Sequence, residues 1–298
     1  MKSENLNITI VGLGLIGGSY AKALRKFIKP NKIWAIDKSE ESLKEAKELG
    51  VIDEGFNVDD SVNLKSDFNK GSFKKVLKES DIIIMCLYPQ DTVRFLKENN
   101  ESLKKESIIT DVVGVKGWVI EEVNSFIKKD VDFIAGHPMA GNEFRGFHFS
   151  DEELFKDSEY ILIPTTKNKA KNLDIIQDII LKIGFRNIRI MDSKEHDKTI
   201  AFTSHLPHVI AISLANSKNL EEEVACIGRS FKGATRVANL NFDLWSQLFL
   251  SNSKNLIEEL DMFREDIEFF RELLVNKDLD GLKEVIKKAN IRREEINK

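Results

Sequence analysis

Short apolar runs recur from residue 6 to about residue 190: LNITIVG, KIWAID, DIIIMCLYP, SIITDVVG, VDFIAG, EYILIP and FRNIRIM. A strand that is apolar nearly throughout is covered on both faces, so these runs predict an open α/β sheet with mostly parallel strands. Between them the apolar residues fall at helical spacing, which predicts helices around 17–28, 39–49, 90–104, 116–129 and 168–183. After Met191 the β-rich runs stop and the spacing is helical to the C-terminal end. The expected architecture is a Rossmann-type α/β unit over 1–190 followed by an all-helical unit over 191–298.

Within the second unit, Leu256, Leu260, Phe263, Ile267, Phe270 and Leu274 alternate four and three residues apart, which aligns them as one stripe on a long helix. Such a stripe either faces an internal core or forms a seam with another subunit. No Gly/Ser linker or low-complexity segment separates the two units, so close packing between them is expected.

Composition narrows the function classes. A chain of 298 residues has room for two ordinary cores, and 42% hydrophobic with 32% charged residues fits a globular protein. Lys and Arg total 45 against 49 Asp and Glu, so a net charge of −4 gives no overall basic field for nucleic acid or an acidic membrane. Small-molecule chemistry gains weight accordingly. The start MKSENLNITIVG lacks the layout of a secretory signal, and no apolar run approaches the roughly 18 residues of a membrane span. The expected compartment is the cytoplasm. Cys86 and Cys226 lie far apart, outside any metal-binding spacing, and read as reduced, packed thiols.

The segment ITIVGLGLIGGSYAKAL carries Gly12, Gly14 and Gly17 in a GxGxxG pattern, with Leu15 and Ile16 between the last two, directly after a predicted strand and before a predicted helix. In a dinucleotide site the first glycine makes the turn, the second admits the pyrophosphate and the third lets helix and strand pack closely. The helix N-terminus offers free N–H groups to the phosphates. A glycine-rich turn alone can be purely structural. The next strand, KIWAID, ends in Asp37, twenty residues beyond Gly17, where a carboxylate accepts from the adenosine ribose hydroxyls. Asp37 repels a 2′-phosphate, so NAD is the expected cofactor.

In AGHPMAGNE, Pro138 biases His137 toward extended geometry at the carboxyl end of the VDFIA strand, the edge where ligands of open α/β sheets bind. A neutral imidazole there can accept a hydroxyl proton as hydride leaves the adjoining carbon. The plainer reading is a histidine in a turn. Downstream, SHLPHVIA sets His205 and His208 three residues apart, and SFKGATRVA presents Arg229, Lys232 and Arg236 close together. A metal would need a clear third ligand, which His196 is too far along to supply, so no metal site is expected. Arg236 is either a planar fork for a carboxylate or one half of an ion pair.

The ordered set GLGLIGGS, TDVVGVKG, GHPMAGNE, TSHLPHVIA, FKGATRVA and DLWSQLFLSN, spanning residues 8 to about 252, resembles the prephenate dehydrogenase family. The resemblance implies a dinucleotide fold joined to a helical domain that builds much of a homodimer. It also implies NAD-dependent oxidation of prephenate to 4-hydroxyphenylpyruvate with loss of carbon dioxide, in tyrosine biosynthesis. On it, His137 is the catalytic histidine bonded to the ring hydroxyl and Arg236 holds the ring carboxylate. His205 and His208 line the substrate pocket, Trp245 reaches toward the partner's pocket, and Glu143 matches a carboxylate linked to gating and pH response.

Two positions depart from the family pattern. Gly114 stands where a serine hydroxyl helps position substrate and histidine, and Asn142 replaces a common threonine. These departures bear on the preference for prephenate over arogenate. Gly114 also leaves room for an NAD-sensing binding protein that has kept the fold without the chemistry.

Overall fold

The computed structural model describes residues 3–58, 73–141, 144–218 and 226–296. Its eight-stranded sheet comprises β1 (Asn7–Val11), β2 (Lys32–Asp37), β3 (Glu54–Asn57), β4 (Ile82–Met85), β5 (Ile108–Asp111), β6 (Asp132–Pro138), β7 (Glu159–Ile163) and β8 (Asn187–Ile190). They lie in the order β3-β2-β1-β4-β5-β6-β7-β8. Every neighbouring pair is parallel except β6 and β7, which run antiparallel with His137 opposite Ile161. Strand order reverses direction between β1 and β4, which opens a crevice at their carboxyl ends.

The continuous apolar runs follow from this arrangement. Along β1 and β4, successive side chains point to opposite faces. Ile8, Ile10, Ile82 and Ile84 enter one buried cluster with Tyr20, Ala21, Leu162 and Ile176. Val11, Ile83 and Met85 enter a second cluster on the other face with Leu96, Val119 and Val123. The helices supplying these contacts are α1 (Leu15–Ala23), α2 (Glu40–Glu48), α3 (Phe73–Glu79), α4 (Pro89–Asn99), α5 (Gly117–Phe126) and α6 (Ala170–Lys182).

After β8 the described chain is helical: α7 (Ser193–Ile200), a wider π turn (Ala201–His205), α8 (Leu206–Ala215), α9 (Arg229–Thr235), α10 (Phe242–Ser251), α11 (Ser253–Val275) and α12 (Leu279–Ile296). Asp192 starts α7 by accepting from the N–H groups of Lys194 and Glu195, and Asn241 starts α10 by accepting from Leu244 N–H. The helical part is anchored to the sheet by Leu248, buried in the second cluster. Asn241 Nδ2 donates to Tyr88 Oη at 2.5 Å, and Gln90 N–H donates to Gln247 Oε1 at 3.1 Å.

Two features differ from the sequence-based expectations, and a third divides between the two readings given for it. Strand β3, EGFN, is absent from the apolar runs because it is a short edge strand with a glycine and an exposed first residue. Cys226 is exposed rather than packed, whereas Cys86 is half-buried. The stripe on α11 divides: Leu256 is buried and Leu260 and Phe263 are half-buried, but Ile267, Phe270 and Leu274 are 55%, 40% and 55% exposed. Among the described residues no helix is long and apolar enough to cross a membrane.

Candidate active site

The carboxyl ends of β1, β4, β5 and β6 open into a cleft of about 820 Å³ roofed by the helical part. Its nucleotide end is built by the turn after β1. Gly12 has φ +94°, and a Cβ there would lie 2.5 Å from the Cys86 carbonyl oxygen, so no other residue fits. A Cβ on Gly17 would strike the Gly12 carbonyl oxygen. At Gly14, by contrast, nothing lies within 4 Å of the added carbon. That open approach leads to the first N–H groups of α1, which have no intrahelical acceptors. Gly14, Leu15, Ile16 and Gly17 all line the cleft.

Asp37 stands at the end of β2, and its two carboxylate oxygens accept from Leu13 N–H at 2.5 Å and Ser39 N–H at 2.7 Å. These bonds hold the glycine turn against the strand. A carboxylate offers about four acceptor positions, so capacity remains for a ribose diol. The turn, the helix end and the acid together fit the pyrophosphate and adenosine ribose of a dinucleotide.

His137, the penultimate residue of β6, lies half-buried on the cleft floor beside Gly114. A Cβ on Gly114 would lie 3.8 Å from His137 Nε2 and 3.4 Å from Leu248 Cδ2, which is ordinary contact. A serine hydroxyl there would therefore come within reach of Nε2, and the glycine leaves that edge of the ring open. Burial pushes His137 well below the ordinary histidine pKa, reinforced by the neighbouring His196, Lys116 and His205, so the ring is neutral near pH 7.

Behind the ring is a buried polar cluster. His137 Nδ1 is 2.9 Å from His196 Nε2, and His196 Nδ1 is 2.8 Å from Asp197 Oδ1. Asp197 also accepts from Lys116 N–H and Gly117 N–H, each at 2.8 Å. Burial raises the Asp197 pKa, but these three donors outweigh it and hold the carboxyl below its ordinary value. The Lys116 ammonium, fully buried, donates to Asp111 Oδ2 at 2.5 Å and to the Gly136 carbonyl. Asp111 in turn accepts from Val113 N–H and Gly136 N–H. The residue preceding His137 is thus clamped at both its N–H and its C=O.

The opposite wall comes from the helical part. Ser204, His208, Arg236, Asn239, Leu244 and Trp245 line it. The His208 and Trp245 rings lie 3.9 Å apart between centroids, and His208 Nδ1 donates to the Ser204 carbonyl at 2.6 Å. Arg236 is on the short turn after α9, exposed toward the cleft, with Arg145 contributing a second guanidinium from the loop after β6. Among the described lining residues there is no carboxylate.

Gly14, Leu15, Ile16, Gly17, Gly114, His137, His208, Arg236 and Trp245, singled out in the sequence, all line one cleft, whereas Gly12 and Asp37 lie beside it in the turn and at the end of β2. His205 does not join that lining. It is buried behind Trp245 and Phe249, and burial depresses its pKa to about 4. Arg229 and Lys232 also lie outside the lining. Asn142 and Glu143 fall outside the described residues. Sequence reasoning missed His196 as a partner of His137, and with it Asp197, Asp111, Lys116 and Arg145. The adjacent His-Asp pair in the first turns of a helix was the one available signal for the buried cluster.

A mostly parallel sheet in this order, with a glycine turn and an imidazole on one cleft and an acid at the end of the next strand bonded to that turn, fits a dinucleotide-binding oxidoreductase. Comparison with known proteins names the family. The prephenate dehydrogenase nucleotide-binding domain matches residues 20–189, and the prephenate dehydrogenase dimerization domain matches residues 192–288. A cyclohexadienyl dehydrogenase of Zymomonas mobilis is 31% identical over 293 residues, covering 96% of this chain and 94% of that one. A prephenate dehydrogenase of Bacillus subtilis is 28% identical, covering 96% of this chain and 75% of that one. The crystal structure of prephenate dehydrogenase from A. aeolicus in complex with hydroxyphenyl propionate and NAD+ superposes with a TM-score of 0.84 at 27% identity, covering 98% of each chain. The chain belongs to the prephenate dehydrogenase family.

Proposed function

We propose that this chain oxidises prephenate with NAD, releasing carbon dioxide and 4-hydroxyphenylpyruvate, and that His137 is its proton acceptor. The observation that carries the reading is the position of His137, on the same cleft as the glycine turn and facing the cationic wall of Arg236 and Arg145. Gly12, Gly14, Gly17 and Asp37 would hold NAD, which supplies the hydride acceptor. Asp37 favours NAD over NADP because a 2′-phosphate would meet its carboxylate.

In the ground state Arg236 binds the ring carboxylate through a planar fork, and the walls of His208 and Trp245 orient the ring. As hydride leaves C4, His137 Nε2 accepts the hydroxyl proton, and the C–O bond becomes a carbonyl. The bond from the ring to its carboxylate then breaks, carbon dioxide leaves, and the electron pair restores aromaticity. His137 returns its proton to the same oxygen, which ends as a phenol, so the histidine is neutral again for the next cycle. Prephenate presents two carboxylates, and the guanidiniums of Arg236 and Arg145 on the cleft suit them; arogenate carries an added ammonium, and assay with both substrates decides between them.

The reading extends to a homodimer, with a helical unit over 191–298 as the seam. Its support is the match to a dimerization domain together with Ile267, Phe270 and Leu274 of α11 and Leu279, Ile286 and Ile291 of α12, all exposed. The test of function is NADH absorbance after adding prephenate, arogenate or neither to the purified chain with NAD. Prephenate should give the larger kcat/KM. A larger value with arogenate reverses the specificity, and no NADH with either leaves a dinucleotide-binding protein without this chemistry.

A further inference from the structure

The inference that follows rests on the reading of His137 as proton acceptor. Two residues behind that ring, His196 and Asp197, line no part of the cleft and are buried. We infer that they are positioning residues: they fix His137 in the tautomer whose Nε2 lone pair faces the substrate, and Asp197 is the counter-charge for the imidazolium formed in turnover.

The direction of each hydrogen bond follows from the carboxylate. An ionised Asp197 has only acceptor sites. Oδ1 takes Lys116 N–H and Oδ2 takes Gly117 N–H, so the His196 nitrogen at 2.8 Å from Oδ1 must be a donor. A neutral imidazole with a proton on Nδ1 has its lone pair on Nε2. His196 Nε2 therefore accepts, and His137 Nδ1, 2.9 Å away, must carry the proton it accepts. That leaves His137 Nε2 unprotonated, on the side of Gly114 and the cleft. Without the two inner residues, His137 is free to adopt the opposite tautomer, which presents a donor where an acceptor is needed.

Charge balance points the same way. The buried cluster holds two carboxylates, Asp111 and Asp197, against one ammonium, Lys116. Asp111 and Lys116 pair directly. The one remaining negative charge, on Asp197, is matched when His137 takes a proton. The cluster thus passes from a net negative resting state to a neutral one as the hydroxyl proton arrives, which stabilises developing positive charge on His137 in a poorly solvated place.

The test is the imidazole tautomer, read by long-range proton–nitrogen correlation on the full chain carrying 15N-labelled histidine, in wild type, His196→Leu and His196→Gln. Both His137 and His196 should show a protonated Nδ1 in the wild type. In His196→Leu, His137 should shift toward a protonated Nε2, and kcat should fall roughly 100-fold with KM for prephenate within about twofold. His196→Gln places an amide oxygen near the lost Nε2, so the wild-type tautomer and turnover within about tenfold should return. A wild-type His137 protonated on Nε2 overturns the inference, even if His196→Leu fails to fold. Unchanged kcat in His196→Leu, or a loss of turnover with the tautomer unmoved, overturns it equally. The resting spectrum needs no substrate, so absence of NADH with prephenate and arogenate would sink the oxidation reading separately.

Discussion

Replacing Lys116 with methionine keeps the shape of the stem and removes the charge. Lys116 and Asp111 are both 0% exposed, so the substitution leaves a carboxylate in the interior without its cation. Breaking a buried pair from one side costs about 3–5 kcal/mol. Asp111 keeps the N–H groups of Val113 at 3.0 Å and Gly136 at 3.3 Å, which places the expected loss near the lower bound, about 3 kcal/mol. At roughly 2–4 °C per kcal/mol for a chain of this class, Tm should fall by about 6–12 °C. The assay is urea unfolding at fixed protomer concentration, since association stabilises the folded chain by mass action. The double variant Lys116→Met with Asp111→Asn removes the stranded charge and should recover about 1.5 kcal/mol or more relative to additivity. Additive single effects, or a Lys116→Met cost below about 1 kcal/mol, would refute the buried-pair account.

The remaining predictions concern the cleft and pH. Arg236→Gln should weaken prephenate binding by about 1.5–3 kcal/mol, read as a raised KM, and an unchanged KM rules out the carboxylate role. Gly114 has no left-handed φ and a Cβ added there meets only ordinary contacts, so Gly114→Ala should raise unfolding free energy by about 0.4–1 kcal/mol; a loss of stability refutes this. Burial lowers the pKa of His196, and of His205 to about 4. The unfolded chain therefore binds protons below about pH 6.5 that the native chain refuses, so stability is full above that value and is lost as pH falls toward 4. His205 alone gives a slope of about 1 kcal/mol per pH unit between about pH 6 and 5, to which His196 adds in the same direction, and a flat stability curve there contradicts their buried, neutral state.

The parts legible in the sequence are those that depend on local order. Gly12, Gly14, Gly17 and Asp37 are recognisable because turn, helix start and strand end occur within one βαβ unit. His137 is legible because Pro138 and the apolar run before it place it at a strand end. The His196 contact spans 59 residues, from the end of β6 to a helix beyond the last strand, and no periodicity records such a distance. Lys116 and Asp111 are five residues apart and look like ordinary surface charges; only the fold shows that both are enclosed. Strand β3 escaped notice because its pairing with β2, rather than its own composition, makes it a strand. The outer half of the α11 stripe has helical period but lies exposed, since period reports that a face is apolar and not what covers it.

The central claim is tested most directly by assaying the wild-type chain and His137→Asn with NAD and prephenate, measuring NADH, carbon dioxide and 4-hydroxyphenylpyruvate in the same sample. The account predicts equal amounts of the three products from the wild type, and turnover lower by roughly a hundredfold in His137→Asn with a smaller change in KM. Near-normal turnover in His137→Asn, or NADH formed without carbon dioxide, would contradict it.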